Sequence, residues 1–330
     1  MQTKCMTESY VESKKHFIQH ASLELEDFLQ NQNGKEWVDD YYQIRNDNIT
    51  EENLFSVNIP WILADLCGVD AKKCISIASS WEAILLYVKQ LDHISDKNSL
   101  TQQDKKNMLI SSMLFAHGLE ELKNIIKIKA DVTFSSLYES AKYQSLDMLM
   151  MLEKKSDISM EEHLEIMRGK NIFTKVISQF YVENSNIGIH EINKFIDNLA
   201  TFAQIIDDIK DLEEDYKTSS YSHLIYTLQA KGYIFDTEDK MMQLLLSTGL
   251  LTKSLIVAKT FMENTINIAK RISLSLAPEQ KMASEGLILY LSCQLVDIND
   301  IIKQIENFDI YDENTVNIIR SNINGLYMGS

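Results

Sequence analysis

Three aspartates near the middle of the chain have the spacing of a metal site. Asp207, Asp208 and Asp211 follow a strongly apolar run, 199–206. On a helix, Asp207 and Asp211 lie one turn apart on the same face, with Asp208 beside them. Carboxylates on an otherwise apolar helix are tolerated in a protein interior only when a cation neutralises their charge. Because these ligand atoms are all oxygens, a hard divalent ion such as Mg²⁺ is favoured. The spacing therefore predicts a Mg²⁺ site; the alternative is a solvated acidic helix end.

A second acidic pair repeats this chemistry in the segment 91–96. Asp92 and Asp96 are again one turn apart, and they come at the end of an apolar helix. Aspartate pairs at this spacing are common by chance, so the pair alone has little weight. Two such clusters on different helices can hold metal ions between them. We therefore predict that Asp92 and Asp96 belong to the same site as the first three aspartates.

Positive side chains occur where an anionic ligand would need them. Arg168 and Lys170 precede the apolar run 172–180, and Lys217 follows the three central aspartates. Metal held by carboxylates, with Lys or Arg on the far side, is an arrangement that binds and activates a diphosphate. For each single cation, the alternative is ordinary surface solubility.

The composition predicts an almost wholly helical protein. The chain has 330 residues with only 2 Pro and 10 Gly, and long stretches contain neither. No internal repeat, low-complexity tract or long linker divides the sequence. The predicted fold class is therefore all-α, a single large helical bundle of the whole chain, 1–330.

Charge and cysteine content exclude several classes of protein. With 32 Lys and Arg against 48 Asp and Glu, the net charge is −16, and so acidic a chain is a poor binder of nucleic acid. The 4 cysteines form no CxxC pair, which argues against a zinc knuckle and fits reduced thiols. No signal peptide is evident, and no apolar run approaches the length of a membrane span. We expect a cytoplasmic protein without a membrane span.

Hydrophobic periodicity and turn signals place the helices. Gly68 is the predicted C-cap of the helix that contains Pro60, and the polar segment 216–222 is predicted to be a loop or a kink. The predicted helices cover 3–31, 37–42, 53–68, 71–96, 104–128, 131–152, 160–181, 190–215, 237–272, 279–306 and 312–326.

The two aspartate clusters resemble motifs of the class I all-helical isoprenoid synthases of the trans-polyprenyl diphosphate synthase type. The segment 204–211 is similar to that family's second aspartate-rich motif, FQIxDDxxD, with Ala203 where the family usually has phenylalanine. The segment 91–96 resembles the first motif, with His93 in place of the usual second aspartate. Weaker marks occur in the family's order: Glu82 before the first motif, Gln144 and Asp147 of a QxxDL-like segment, and Lys170 of a KTxxL-like segment. The resemblance covers residues 55–225.

Two segments depart from the chain-elongating members of that family. Those members bind isopentenyl diphosphate through a GKxxRP segment, of which the matching residues 55–60 keep only Pro60. They also carry an Arg-Arg pair after the first motif, where the segment 97–101 has no arginine. A second diphosphate would find no charged partner in such a pocket, which would be prohibitive. The resemblance therefore implies an enzyme that ionises one allylic prenyl diphosphate, and a terpene synthase is the leading hypothesis.

The resemblance also implies a cofactor, a substrate and roles for individual residues. Mg²⁺ is the implied cofactor, and a fifteen-carbon prenyl diphosphate is favoured as substrate over ten or twenty carbons. The implied catalytic residues and metal ligands are Asp92, Asp96, Asp207, Asp208 and Asp211, although not all five carboxylates need to bind the metal directly. The implied diphosphate contacts are Lys170, Lys217, Arg168 and Gln204.

An apolar pocket would shape the carbocation that ionisation produces. The implied lining residues are Tyr87, Phe173 and Phe202, although a plain core role fits Phe173 and Phe202 at least as well. His93 is interpreted as a wall residue, with a weak metal ligand and a protonated donor to pyrophosphate as alternatives.

Other functions stay open at this point. The bacterial pheromone-modifying prenyltransferases lack the same arginines, so prenyl transfer to a peptide, sugar or small molecule is the nearest alternative. Chain elongation and a non-catalytic partner subunit of a synthase heteromer are further alternatives, although the intact second motif argues against the latter. The resemblance also makes a homodimer a candidate assembly. A di-iron protein is set aside, because none of the 7 histidines has an acidic residue three positions before it.

Overall fold

The long stretches without Pro or Gly fold into helices. A computed structural model of the protein describes residues 2–33, 35–49, 54–95, 99–126, 130–153, 158–218, 222–307 and 313–326. Within these ranges the chain forms α-helices, two short 3₁₀ segments and no strand. The predicted all-α fold class is confirmed.

Fifteen α-helices follow one another in the described part of the chain. They are α1 (Gln2–Asn33), α2 (Lys35–Asn48), α3 (Leu54–Cys67), α4 (Ile75–Ser95), α5 (Gln102–Ile126), α6 (Ala130–Glu153), α7 (Met160–Lys170), α8 (Ser178–Asn184), α9 (Ile189–Lys210), α10 (Leu212–Thr218), α11 (His223–Ala230), α12 (Glu238–Ser247), α13 (Leu250–Ser275), α14 (Pro278–Asn307) and α15 (Glu313–Asn324). The 3₁₀ segments Ala71–Cys74 and Ile172–Ile177 precede α4 and α8. Gly68 follows α3 with a left-handed φ of 64°, which confirms the predicted C-cap.

The prediction of one continuous helix over 160–181 is wrong, because the chain breaks at Asn171. The backbone N–H of Asn171 donates to the carbonyls of Arg168 and Gly169. Its side-chain amide donates to the Met167 carbonyl over 2.9 Å. An asparagine that bonds the preceding turn in this way competes with continuation of the α-helix. The chain therefore passes through a 3₁₀ segment before α8 begins.

Two further predicted helices are divided. The helix predicted over 190–215 ends with a cap at Asp211, and α10 begins at the next residue. The helix predicted over 237–272 is split by Gly249, whose left-handed φ of 70° separates α12 from α13. A residue with a side chain would be strained in that conformation. Beyond the polar segment 216–222, the structure adds α11, which the periodicity did not predict.

Helix α9 runs through the core. Phe195, Leu199 and Phe202 are 0–1% exposed, and buried residues surround the helix over its central turns. It packs against α7, α13 and α15. Burial of each large apolar side chain contributes about 1.5–3 kcal/mol. This packing fixes the position of the helix up to its last turn, which carries the aspartates.

A second core cluster joins α1, α2, α4 and α5 around a buried carboxylate. Glu82 on α4 is 1% exposed. Its Oε1 accepts from Arg45 Nε over 2.7 Å, from the Tyr41 hydroxyl over 2.8 Å and from Ser22 Oγ over 3.1 Å. Hydrogen-bond donors from α1 and α2 thus stabilise the buried carboxylate and hold α4 in place. The C-terminal end of α4 carries the first aspartate-rich segment.

No single helix among those described is long and apolar enough to span a membrane. Helices α12 and α13 together are long and apolar enough, but their axes are bent by 66° relative to one another. Both contribute to the core, through residues such as Leu245, Leu251 and Leu255, each 0% exposed.

Candidate active site

The last turn of α9 presents the aspartates of the second motif. Asp207 and Asp208 lie in that turn, and Asp211 is the cap at which the helix ends. The Asp211 N–H donates to the Asp207 carbonyl over 2.9 Å, and the Asp215 N–H donates to the Asp211 carbonyl over 2.8 Å. Helical spacing therefore continues into α10. Asp207, Asp211 and Asp215 form an acidic row, in which each carboxylate follows the previous one by one helical turn. The sequence contains this spacing, but the predicted site does not include Asp215.

Asp208 is held by donors from its own helix and from α7. Its Oδ1 accepts from Gln204 Nε2 over 3.0 Å, and its Oδ2 lies 3.0 Å from Nε2 of His163. Burial raises the pKa of Asp208, but the hydrogen bond and charge of His163, the Gln204 amide and the charge of Lys170 outweigh it. The pKa therefore lies below its ordinary value. Because an ionised carboxylate only accepts, Nε2 of His163 is the donor in this pair.

Asp211 and Asp215 have a different electrostatic environment. Reduced contact with water, followed by the charges of Asp207 and Asp208, raises the pKa of Asp211 to about 7. Reduced contact with water, followed by the charges of Asp211 and Asp208, raises the pKa of Asp215 to about 7 as well. The Asp211 side chain is nevertheless exposed, which leaves it accessible to an ion from solvent. A bound cation would relieve the repulsion and lower both pKa values.

Lys170 stands near the aspartates at the C-terminal end of α7. Its charge helps to lower the pKa of Asp208, and its carbonyl accepts a hydrogen bond from the Ser140 hydroxyl on α6. The preceding Gly169 allows a close approach of α6, because a Cβ there would overlap the ring of Tyr143. Contact with α6 thus fixes the turn that presents Lys170.

The other two predicted cations have partners elsewhere. Lys217 on α10 pairs with Glu238 of α12, with Nζ 3.2 Å from Oε2. Arg168 is exposed, and its guanidinium lies 5.4 Å from the ring centre of Phe261 on α13. The structure therefore brings Lys170 to the aspartates, but engages Lys217 and Arg168 with neighbouring helices.

The first aspartate-rich segment lies partly outside the described residues. Asp96 and the side chain of Asp92 are not among them. His93 is exposed near the end of α4, and the ring of Tyr87 stacks on Phe115 of α5 with centroids 4.5 Å apart. The roles of these residues at the metal and in the pocket stay predictions.

The two phenylalanines predicted for the pocket are buried. Phe202 is 1% exposed and Phe173 is 6% exposed. The Phe173 ring stacks on Trp81 with centroids 6.2 Å apart, which places it between the 3₁₀ segment and α4. Both have the environment of core residues, and their contribution to a substrate pocket stays a prediction.

Two histidines outside the predicted site lie beside Asp208. His163 on α7 and His223 on α11 are 7% and 8% exposed, and their rings stack with centroids 4.5 Å apart and planes at 11°. Burial, followed by the neighbouring His163, lowers the pKa of His223 to about 4, so this ring is neutral at pH 7. Tertiary packing of three helices brings the two histidines to Asp208. Their positions along the sequence therefore give no sign of this contact.

Two adjoining cavities border this histidine pair. The smaller, about 20 Å³, is lined mainly by apolar side chains, and its polar residues are His163, His223, Asp208 and Ser254. The larger, about 480 Å³, also includes His223 and Ser254 and is otherwise lined mainly by apolar residues of α7, α11 and α13. Its volume is within the range of small-molecule sites in proteins.

The acidic row fits Mg²⁺ as one half of a site. No group of three or more His, Cys, Asp or Glu side chains in the described ranges is arranged to hold a metal ion by itself. The donors of the second motif are all carboxylate oxygens, and Mg²⁺ commonly binds one or two carboxylates together with waters and substrate phosphates. The residues present are therefore suited to Mg²⁺ that arrives with a phosphorylated ligand.

The chain is similar to known proteins in its fold. No protein-family model and no curated protein matches the chain. A polyprenyl synthase from Caulobacter crescentus CB15, complexed with calcium and isoprenyl diphosphate, has a TM-score of 0.65 and 14% identity over 87% of this chain and 97% of its own. A geranylgeranyl pyrophosphate synthetase from the archaeon Geoglobus acetivorans has a TM-score of 0.64 and 16% identity, over 87% and 98%. A heptaprenyl diphosphate synthase from Staphylococcus aureus has a TM-score of 0.62 and 15% identity, over 83% and 97%.

These similarities show that the chain has the all-helical isoprenoid synthase fold. They extend over most of this chain and nearly all of each compared chain. A shared fold at such low identity does not carry an activity with it. Function must therefore be argued from the site.

Proposed function

We propose that this protein is a Mg²⁺-dependent enzyme that ionises one allylic prenyl diphosphate, and that it acts as a terpene synthase. The observation that carries the proposal is the row of carboxylates at the end of α9, which lies beside Lys170 of α7 within an isoprenoid synthase fold. The compared structures are prenyl diphosphate synthases, and one is described with calcium and isoprenyl diphosphate. A diphosphate held through divalent metal is the ligand class that the fold and the site both favour.

In this proposal the metal-binding carboxylates come from the two aspartate-rich motifs. Asp207 and Asp211, at the end of α9, would hold Mg²⁺ from one side, and Asp92 and Asp96 of the first motif would hold it from the other. Mg²⁺, when bound, acts as a Lewis acid that neutralises charge on the departing diphosphate. The raised pKa values of Asp211 and Asp215 support a role in cation binding.

The cations differ in how they are placed to contact the diphosphate. The charge of Lys170 already acts on Asp208, and Lys170 would bind the diphosphate directly. Lys217 and Arg168 would have to leave Glu238 and Phe261 before they could contact it. The carbon–oxygen bond then breaks with both electrons leaving on the diphosphate. The resulting carbocation cyclises and loses a proton to the departed diphosphate or to water, or it adds water and then loses a proton to give an alcohol.

The burial of α3 supports a single diphosphate site. The residues that match the isopentenyl-diphosphate segment of chain-elongating synthases include Val57, Asn58 and Ile59, which are 3–6% exposed. A second diphosphate against these neutral, buried side chains would lose its hydration without gaining a cation. We therefore expect no condensation with isopentenyl diphosphate.

We also infer that residues 1–330 form one domain. The larger of the two clusters of buried apolar residues includes residues from Ile18 on α1 to Leu326 after α15. A homodimer stays a prediction.

Product analysis tests the proposal. The purified protein is incubated with Mg²⁺ and ten-, fifteen- or twenty-carbon prenyl diphosphate, and organic extracts are examined by gas chromatography and mass spectrometry. A terpene hydrocarbon or cyclic alcohol from the fifteen-carbon substrate alone is the expected result. An Asp207→Asn variant, in which one predicted metal ligand is neutralised, should give none.

Chain elongation is the second candidate, because the compared structures are synthases that make prenyl diphosphates. Addition of isopentenyl diphosphate to the same reaction separates the two functions. A longer prenyl diphosphate would support elongation and contradict the terpene synthase. Product formation only after a peptide, sugar or other nucleophile is added would instead support transfer to that acceptor.

A further inference from the structure

The start of α7 determines where His163 lies. Ser159 and Glu162 form a capping box, in which the Glu162 N–H donates to Ser159 Oγ over 3.2 Å and the Ser159 N–H donates to Glu162 Oε2 over 2.9 Å. His163 follows directly, and its own N–H donates to the Ser159 carbonyl over 3.0 Å. The capped turn thus sets the helical register that directs His163 into the protein, where it is 7% exposed.

Packing alone does not explain a histidine at this position. Its Nε2 bonds to Asp208, whereas its buried Nδ1 has no hydrogen-bond partner in the described part of the protein. An unpaired buried nitrogen costs free energy that an apolar side chain would avoid. The remaining contact is the stack on His223, which restrains the ring without replacing the polar bond. The bond to Asp208 is therefore the feature that distinguishes His163 from a plain core residue.

Asp208 is oriented differently from the other two aspartates of the motif. Its two oxygens are engaged by Gln204 and His163 at 3.0 Å each. With about 100° of rotation per residue, Asp207 and Asp211 project within roughly 40° of one another, whereas Asp208 projects roughly 60–100° away from them. The carboxylate of Asp208 is thus turned to α7 and fixed there.

We propose that His163 is a positioning residue: by holding Asp208 against α7 it makes Asp208 an anchor, and leaves Asp207 and Asp211 as the metal-facing pair. This inference rests on the proposed function and refines it, since the family resemblance implies all three aspartates at the metal site without saying which of them bind the metal directly. Rotation of the last turn of α9 would displace Asp207 and Asp211 together, so loss of the anchor should weaken the metal site without removing a ligand.

Thermal unfolding in Mg²⁺ and inorganic pyrophosphate tests the role without requiring turnover. The shift in melting temperature is measured as Mg²⁺ is increased at fixed pyrophosphate, which gives an apparent dissociation constant for Mg²⁺. His163→Phe keeps the ring and the stack but removes the donor, and we expect binding of Mg²⁺ to weaken about 10–100-fold. His163→Gln places an amide donor near the Nε2 position and should restore binding to within a few-fold of the wild type.

Three further variants complete the comparison. Ser254→Ala changes another residue that lines the same small cavity, and it should leave the dissociation constant within twofold. If His163→Phe does not fold, Asp208→Asn gives the second test. As an anchor variant it should weaken Mg²⁺ about 10–100-fold but keep a saturable response, while Asp207→Asn should lose the response.

The outcomes separate this inference from the proposed function. A wild-type protein that shows no Mg²⁺ response with pyrophosphate would contradict the proposed function itself. A wild-type response that His163→Phe leaves within twofold would overturn the role of His163 alone. Equal loss of response in Asp208→Asn and Asp207→Asn would show that Asp208 is a direct ligand, and would also overturn it.

Discussion

The backbone N–H of Asp215 donates to the carbonyl of Asp211 over 2.8 Å, so the two carboxylates are one helical turn apart across the junction of α9 and α10. This relationship extends the acidic row of the second motif beyond its last aspartate. Both carboxylates have a pKa raised to about 7. Without a cation, such a row repels itself at neutral pH.

Because of this repulsion at Asp215, the melting temperature of the protein should depend on pH. Its pKa is about 7 in the folded protein and about 3.9 in an unfolded chain, so the folded state binds the proton more tightly. The stability that this site contributes is present below pH ~4 and is lost as the pH rises to about 7. Asp215→Asn should therefore raise the melting temperature by about 2 °C at pH 8 and have little effect at pH 4. Differential scanning calorimetry at the two pH values measures this.

An exposed aspartate provides the matched control. Asp300 on α14 lies 3.4 Å from Lys303 Nζ at the surface, and Asp300→Asn should shift the melting temperature little at either pH. Addition of Mg²⁺ and pyrophosphate at pH 8 should also reduce the advantage of Asp215→Asn. The same stabilisation at pH 4 and pH 8 would show that repulsion is not its cause.

The buried ion pair between Glu82 and Arg45 should matter for stability. Glu82→Gln removes the charge that compensates Arg45 Nε at 2.7 Å, in a site where the glutamate side chain is 1% exposed. Loss of one partner of a buried pair typically destabilises by about 3–5 kcal/mol. Urea unfolding of Glu82→Gln measures this. Lys303→Ala, which breaks an exposed pair, should cost at most about 1 kcal/mol, and a similarly small effect of Glu82→Gln would contradict a stabilising role for the network.

Because α6 lies close to α7, we predict that a side chain in place of Gly169 lowers the stability of the protein. A Cβ at Gly169 would overlap the ring of Tyr143, so Gly169→Ala should destabilise the protein by about 1–3 kcal/mol. Gly286 lies within α14 and has no atom within 4 Å of the equivalent position. Gly286→Ala should therefore stabilise by about 0.5–1 kcal/mol. The prediction fails if the two substitutions change the free energy of unfolding in the same direction.

Local patterns in the sequence were sufficient to predict the long helices and the acidic end of α9. Apolar residues such as Leu199 and Phe202 recur on all sides of that helix, and the aspartates follow in the same register. The breaks were harder to predict. Gly249 sits in a periodic pattern that fits either a continuous helix or two helices, and Asn171 stops α7 through a side-chain bond that depends on its rotamer.

The parts of the site that arise from tertiary packing could not be read from the sequence. His163 and Asp208 meet only because α7 packs on α9, and Lys217 meets Glu238 only because α10 approaches α12. Asp215 is an intermediate case, since its spacing from Asp211 is local but its raised pKa depends on the surrounding protein.

Pyrophosphate release tests the central claim most directly. Release is followed as Mg²⁺ is added to the protein and fifteen-carbon prenyl diphosphate, without isopentenyl diphosphate. We predict saturable release that depends on Mg²⁺, that isopentenyl diphosphate does not accelerate, and that Asp207→Asn abolishes. No release by the folded protein from ten-, fifteen- or twenty-carbon substrates, or equal release by Asp207→Asn, would contradict the claim that this site ionises a single prenyl diphosphate.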